Sequence, residues 1–244
     1  MTGKTILITR SAGDDAELRD ALQARGHHVI HEPLTEIFLN HTVRHAIHHT
    51  LASEPDAVIV TSRYGVRALA ALSDIRDIAL LCVGDATAEV AQSLGYTRVC
   101  ATGKTVEDMV SYLLDAYDYG AHFLYASAAH IRADIGETLK EYGMTVQRVV
   151  IYEAMASQAL SDTLIEQLRR GQVDAVLFLS ERSADIFRSL LEKTGIAEAS
   201  AGMDAYCLSP AIAASLSKRA WKRIIVSDEP TLASIVASVD NAAS

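Results

Sequence analysis

The sequence predicts two α/β domains with parallel sheets, and three observations carry that prediction. Short apolar runs alternate with longer amphipathic stretches, the pattern occurs twice in the same order, and glycines fall at the joints. The runs span 5–9, 57–61, 78–83, 123–126, 175–179, 205–208 and 224–226. They are apolar throughout rather than alternating, which marks parallel strands covered on both faces.

Each element follows from local chemistry. After the first run, Leu18, Ala21 and Leu22 give a helical stripe that Gly26 ends, and an extended segment resumes at Val29. Leu34 to Phe38 is β-prone. Further on, Gly95 closes a helix, and Thr105 with Asp108 reads as a capping box opening the stripe Val106, Met109, Val110, Leu113. Gly143 ends the helix after the 123–126 run, and the β-prone segment 149–154 follows.

The repeat is explicit in the residues. Segment 56–62, Asp-Ala-Val-Ile-Val-Thr-Ser, matches 174–180, Asp-Ala-Val-Leu-Phe-Leu-Ser. Segment 82–88 resembles 207–213, Thr105-Val106 recurs as Thr231-Leu232, and 22–29 parallels 139–146. The chain therefore reads A-B-C, A′-B′-C′, with copies about 120 residues apart. Each copy has strands enough for one small flavodoxin-like domain. Spacing alone allows a simple tandem, or an exchange in which A joins B′-C′ and the two extended segments pair as a linker.

Composition narrows the function. In 244 residues, Asp+Glu total 31 against Lys+Arg 22, a formal charge of −9, which argues against a nucleic-acid or anionic-membrane surface. With 50% hydrophobic residues the chain has ample core. Neither a secretory segment nor a bilayer-spanning stretch is expected, and Cys82, Cys100 and Cys207 read as buried reduced thiols of a cytoplasmic protein. His41, His45 and His48 share a helical face but lack a completing ligand, so a solvated face and no metal site are expected. Gly103-Lys104-Thr105 is not a phosphate loop, because Arg98 stands where its first glycine belongs. Neither G-x-G-x-x-G nor G-x-S-x-G occurs.

The strand-to-helix turns remain as the candidate site. They are rich in small and hydroxyl residues: Arg10-Ser11, Thr61-Ser62-Arg63, Gly84 to Thr87, Thr102 to Thr105, Ser127-Ala128, Ser180-Glu181 and Ser209-Pro210. Such turns offer backbone N–H groups and hydroxyls to carboxylates or phosphates, although ordinary helix capping explains any one of them.

At these residues the chain resembles the uroporphyrinogen-III synthase family. The resemblance rests on Thr9-Arg10 closing the first strand, Pro33-Leu34-Thr35-Glu36-Ile37, and Asp56 to Ser62. Val83-Gly84-Asp85-Ala86-Thr87-Ala88, Val149 to Tyr152, and Pro230-Thr231 complete it. It implies the exchanged layout, with residues 1–34 and 157–244 forming one domain, 39–148 the other, and 35–38 with 149–156 a two-stranded β-ladder between them. The cleft between the domains would hold the substrate. It also implies a cofactor-independent hydro-lyase that closes hydroxymethylbilane to uroporphyrinogen III, with loss of water and inversion of ring D. Tyr152 is then the catalytic candidate. Arg10, Ser62, Arg63, Thr87, Arg132 and Ser180 are the candidates for binding substrate. The expected partner is a small tetrapyrrole, met by a monomer with no nucleic acid or membrane, and with room for transient contact with the upstream deaminase. Two departures from the family pattern, Ser127-Ala128 and Ala211-Ile212, put indispensable side chains there in doubt. A non-catalytic two-domain binder of the same fold is the alternative.

Overall fold

The computed structural model describes residues 3–131, 133–216 and 220–241. In chain order the elements are β1 (Thr5–Ile8), α1 (Ala16–Gln23), β2 (His28–His31), β3 (Thr35–Leu39), α2 (Arg44–Ala52), β4 (Ala57–Val60), α3 (Arg63–Leu72), β5 (Ala79–Cys82), α4 (Asp85–Ser93) and β6 (Arg98–Ala101). There follow α5 (Val106–Ala116), β7 (His122–Ala128), α6 (Ile135–Lys140), β8 (Thr145–Ala156), α7 (Asp162–Arg169), β9 (Ala175–Phe178) and α8 (Glu181–Lys193). The last are β10 (Asp204–Cys207), α9 (Pro210–Leu216), β11 (Arg223–Val226) and α10 (Leu232–Asn241).

The chain divides into two compact units, Met1–Glu36 with Met155–Ser244, and Ile37–Ala154. The first carries a five-stranded sheet in the order β11-β10-β9-β1-β2, in which every described pair is parallel. Numbered within the unit this is 2-1-3-4-5, the doubly wound order whose switch point lies between its first and third strands. The second carries a six-stranded sheet, β3-β8-β7-β4-β5-β6. If β7 and β8 are taken as the A′ strands, β8-β7-β4-β5-β6 is the same 2-1-3-4-5 arrangement. Each sheet thus combines an A pair from one copy with the B and C strands of the other.

The repeated aspartate makes the same contact in both units. Asp56 Oδ2 accepts from the His122 N–H at 2.8 Å, and Asp174 Oδ2 accepts from the Thr5 N–H at 2.7 Å. In both units a B-strand aspartate fastens the first N–H of the neighbouring A strand, which otherwise lacks a ladder partner.

Strands β3 and β8 are adjacent at the outer side of the second sheet. The Asn40 N–H donates to the Ile151 carbonyl and the Ser157 N–H to the Leu34 carbonyl, so this pair runs antiparallel. Both chain crossings between the units fall in these two segments.

Each sheet is covered on both faces. Leu7, Val176, Phe178 and Phe187 pack on one side of the first sheet, and Ile6, Ile8, Leu177 and Val236 on the other. Val58, Val60, Leu124 and Ile151 oppose Ile59, Phe123, Tyr125 and Met109 in the second. The central strands β4, β9 and β10 are buried throughout, which is why they read as apolar runs, with the paired Asp204 of β10 the one charged residue in them.

One thiol differs from expectation. Cys82 and Cys207 are buried, but Cys100 is half-buried, because β6 is an edge strand with only one flank covered. His41, His45 and His48 face solvent, and among the described residues no three His, Cys, Asp or Glu side chains gather as a metal would require. Also among the described residues, no helix is long and apolar enough to cross a membrane.

Candidate functional site

Ligands of open α/β sheets bind beyond the carboxyl ends of the strands, at the switch point. In the second unit that point lies between β4 and β7, and a cavity of about 530 Å³ opens there. This is within the usual range of small-molecule sites, roughly 300–1,000 Å³. Its wall takes Thr61 from the end of β4, Lys104 and Thr105 from the start of α5, Tyr125 and Ala128 from β7, and Tyr152 from β8. Besides the two tyrosines, Lys104, Glu107 and His130 bring the ionisable side chains of the lining.

Two hydroxyl pairs organise the floor. Tyr152, 6% exposed, places its phenol oxygen 2.7 Å from Ser62 Oγ. Ser62 is the N-cap of α3, and its Oγ also accepts the Gly65 N–H at 3.0 Å. A serine oxygen occupied in this way can still donate its own proton to the phenol oxygen, which leaves the phenol proton available to a cavity guest. Burial pushes the Tyr152 phenol above its ordinary value, and the Ser62 hydrogen bond offsets part of that rise. The group is therefore neutral and proton-bearing near pH 7. Beside it, Tyr125 Oη lies 3.3 Å from Thr61 Oγ1, and burial raises this phenol too, against the opposing effects of Thr61 and the Arg148 charge.

A β-bulge aims Tyr152. Along β7 and β8 the register runs regularly to Ser127 opposite Val150, then jumps to Ala128 opposite Tyr152. The extra residue lets Ile151 and Tyr152, consecutive in sequence, both contribute to the core layer under α3, which strict alternation forbids. The Ala129 N–H closes the bulge on the Tyr152 carbonyl at 2.9 Å.

The start of α5 forms the opposite wall. Thr105 caps the helix, and Asp108 accepts from the Lys104 and Thr105 N–H groups at 2.8 and 2.9 Å. Those hydrogen bonds hold its carboxyl below the ordinary range.

The structure brings Tyr152 and Ser62 together but distributes the other candidates. Arg63 opens α3, half-buried and off the cavity wall. Thr87 is 6% exposed and forms, with Ala88 and Ala91, the buried face of α4. Arg10 and Ser180 stand at the corresponding strand ends of the first unit. Arg10 lies 3.9 Å from Asp14, and Ser180 caps α8 by accepting the Ser183 N–H. Arg132 lies outside the described residues. At the departures from the family pattern, Ile212 is a 3%-exposed core residue, and Ser127 Oγ accepts from Arg148 Nε at 2.9 Å.

Sequence reasoning missed Tyr125 and Arg148. A tyrosine near the end of a fully apolar strand signals a buried hydroxyl in need of a partner, and that signal was present. Arg148 had none, since its acceptors come from a turn about 20 residues away that only the fold brings near.

The fold recurs in solved structures at low identity. A uroporphyrinogen III synthase variant from the extremely thermophilic bacterium Thermus thermophilus is 15% identical, with a TM-score of 0.55 over 99% of each chain. The uroporphyrinogen-III synthetase of Helicobacter pylori is 16% identical, with a TM-score of 0.59 over 98% of this chain and 99% of that one. No curated protein sequence matches the chain significantly. The family model described as uroporphyrinogen-III synthase HemD matches residues 16–237, and with that match across nearly its whole length the chain belongs to the uroporphyrinogen-III synthase family, enzymes of haem biosynthesis.

Proposed function

We propose that this chain closes hydroxymethylbilane to uroporphyrinogen III as a cofactor-independent hydro-lyase, acting as a cytoplasmic monomer. Family membership supports the reaction class. The observation that carries the mechanism is the buried Tyr152–Ser62 pair at the sheet's switch point. Loss of the substrate hydroxyl as water leaves a cationic azafulvene, and a neutral phenol hydrogen-bonded to that leaving oxygen lowers the barrier. In this reading Tyr152 supplies that neutral phenol, and its hydrogen bond to Ser62 supports the assignment by orienting the ring. Tyr125 with Thr61 offers a second polar anchor on the same wall.

Ring closure with inversion demands that a flexible chain be held so that its ends meet, which positioning alone can accelerate strongly. The substrate's carboxylates need donors. Lys104 on the cavity wall, Arg63 at the start of α3, and Arg10 with Ser180 in the first unit are those we assign, with Arg132 as a further candidate. Thr87, in the first turn of α4, is another. Contact with the upstream deaminase would be transient and would serve delivery of the unstable bilane.

The test generates hydroxymethylbilane in situ with that deaminase, adds this protein, oxidises the products and separates the isomers. The type III porphyrin is expected in excess over the spontaneous type I product. Type I alone would overturn the synthase reading in favour of a non-catalytic binder.

A further inference from the structure

We propose that Arg148 is a positioning residue for the reaction: its guanidinium clips the β7–β8 bulge and so fixes the direction of Tyr152 toward Ser62. The inference rests on the synthase reading above and extends it to a residue outside the cavity wall.

Arg148 stands on β8 directly opposite Tyr125 of β7. Its side chain turns along the sheet toward the turn that follows β7. There Nε donates to Ser127 Oγ at 2.9 Å, and one Nη donates to the Ala128 and Ala129 carbonyls at 3.0 and 2.9 Å. All three acceptors lie at or just beyond the register jump between Ser127 and Ala128. The same turn bonds Tyr152 directly through the Ala129 N–H. One fork thus spans the residues whose conformation sets the extra β8 residue, and with it the face on which the Tyr152 ring emerges.

The first unit supplies an independent parallel. The position matching Arg148 there is His31, opposite Ile8 on β1. Its Nε2 lies 2.7 Å from the Arg10 carbonyl, in the turn after β1. Both copies thus reach back from the second A strand to hold the turn after the first. Only the second copy carries a bulge and a tyrosine beyond it, and only there is the reaching group a fork that can bind three oxygens. A lysine at 148 keeps the charge but cannot span them.

The experiment compares Arg148→Ala, Arg148→Lys and Ser127→Ala with the parent protein. Each is labelled with ¹³C at tyrosine Cζ, and the Tyr152 resonance is identified by its loss in Tyr152→Phe. The expected result is a displaced Tyr152 resonance in both Arg148 variants, with kcat for type III product lowered about tenfold and KM within about twofold, as misplacement of a reacting group predicts. Ser127→Ala, which removes one of the three acceptors, should shift both readouts in the same direction by less. An unmoved Tyr152 resonance in a folded Arg148→Ala overturns the proposal, and so does full rescue by lysine, which would make charge the operative property. If Arg148→Ala does not fold, Ser127→Ala decides: unchanged resonance and kcat there count against the clip. The resonance is read without turnover, so failure of the parent to make type III product would sink the synthase reading while the positional test still reports on its own terms.

Discussion

Tyr152 is the catalytic residue we propose, and two substitutions separate its chemistry from its packing. Tyr152→Phe keeps the ring and removes the phenol. The rate of type III formation should fall at least about tenfold if the phenol aids departure of the hydroxyl. Loss of the Ser62 hydrogen bond should lower stability by only about 1 kcal/mol. A denaturation midpoint beside a rate measurement resolves the two effects, and an unchanged rate removes Tyr152 from the chemistry. Ser62→Ala loses both the cap of α3 and the phenol's partner, so it should cost about 1 kcal/mol for the cap in addition to activity. The candidates Tyr152 and Ser62 were legible in sequence as members of a motif and of a hydroxyl-rich turn. That they touch was not legible, because 90 residues separate them.

At the scale of elements, the wall opposite Tyr152 depends on how α5 begins. Gly103 has φ +121°, and a Cβ there would stand 2.3 Å from Asp108 Cβ. Gly103→Ala should therefore displace Asp108 from the Lys104 and Thr105 amides and cost at least about 1 kcal/mol, the usual penalty for left-handed backbone in an L-residue. Urea denaturation measures this, and a neutral result would show that the turn can relax. The capping box was readable from Thr105 and Asp108 alone, since it is made within one helical turn. The edge strands β2 and β6 were harder to see. His28, His31 and Arg98 interrupt their apolar character, because an edge strand is covered on only one flank and needs no continuous apolar run. The β7–β8 bulge was invisible, since it arises from a register between segments that pair only in the folded sheet.

The whole molecule behaves as two exchanged units, with consequences for fragments and for pH. Residues 37–154 form a continuous segment with core on both faces of its sheet, so this fragment should fold alone with a cooperative transition. A fragment ending before β7 should not, because it would lack the A′ strands that complete the sheet. Circular dichroism of the two fragments checks this. The second prediction concerns pH. Burial pushes the Cys82 and Cys207 thiols and the Tyr206 phenol up to about 12, and does the same to Tyr96 against the opposing Arg76 charge. Above about pH 9 the unfolded chain begins to lose these protons while the folded chain retains them, so stability is complete below that point and falls as pH rises toward 12. At the acid end, burial alone would raise the Asp204 carboxyl, but the Arg223 hydrogen bonds, at 2.9 and 2.6 Å, and its charge hold it below the ordinary carboxylate value. Its contribution is present above about pH 4 and is lost as pH falls through the lowered value. Thermal midpoints between about pH 3 and pH 11 should trace both limbs, and Asp204→Asn should flatten the acid one.

The sequence by itself determined the fold class, the repeat, the helix caps and the family, because each is written in residues near one another or in motifs that recur in order. It left open which A pair belongs to which B and C strands. The tertiary structure decided that through strand order and through Asp56 and Asp174, whose carboxylates fasten strands of the other copy. It also decided which partners the turn hydroxyls meet. Thr87 and Ser62 look alike as hydroxyl residues at the start of a helix, yet one faces the core and the other meets a tyrosine from a distant strand. The reason is general to parallel sheets: the strands that build a site are neighbours in space through long connections, so pairing and register, which fix where a side chain points, belong to the assembled sheet rather than to any segment of the chain.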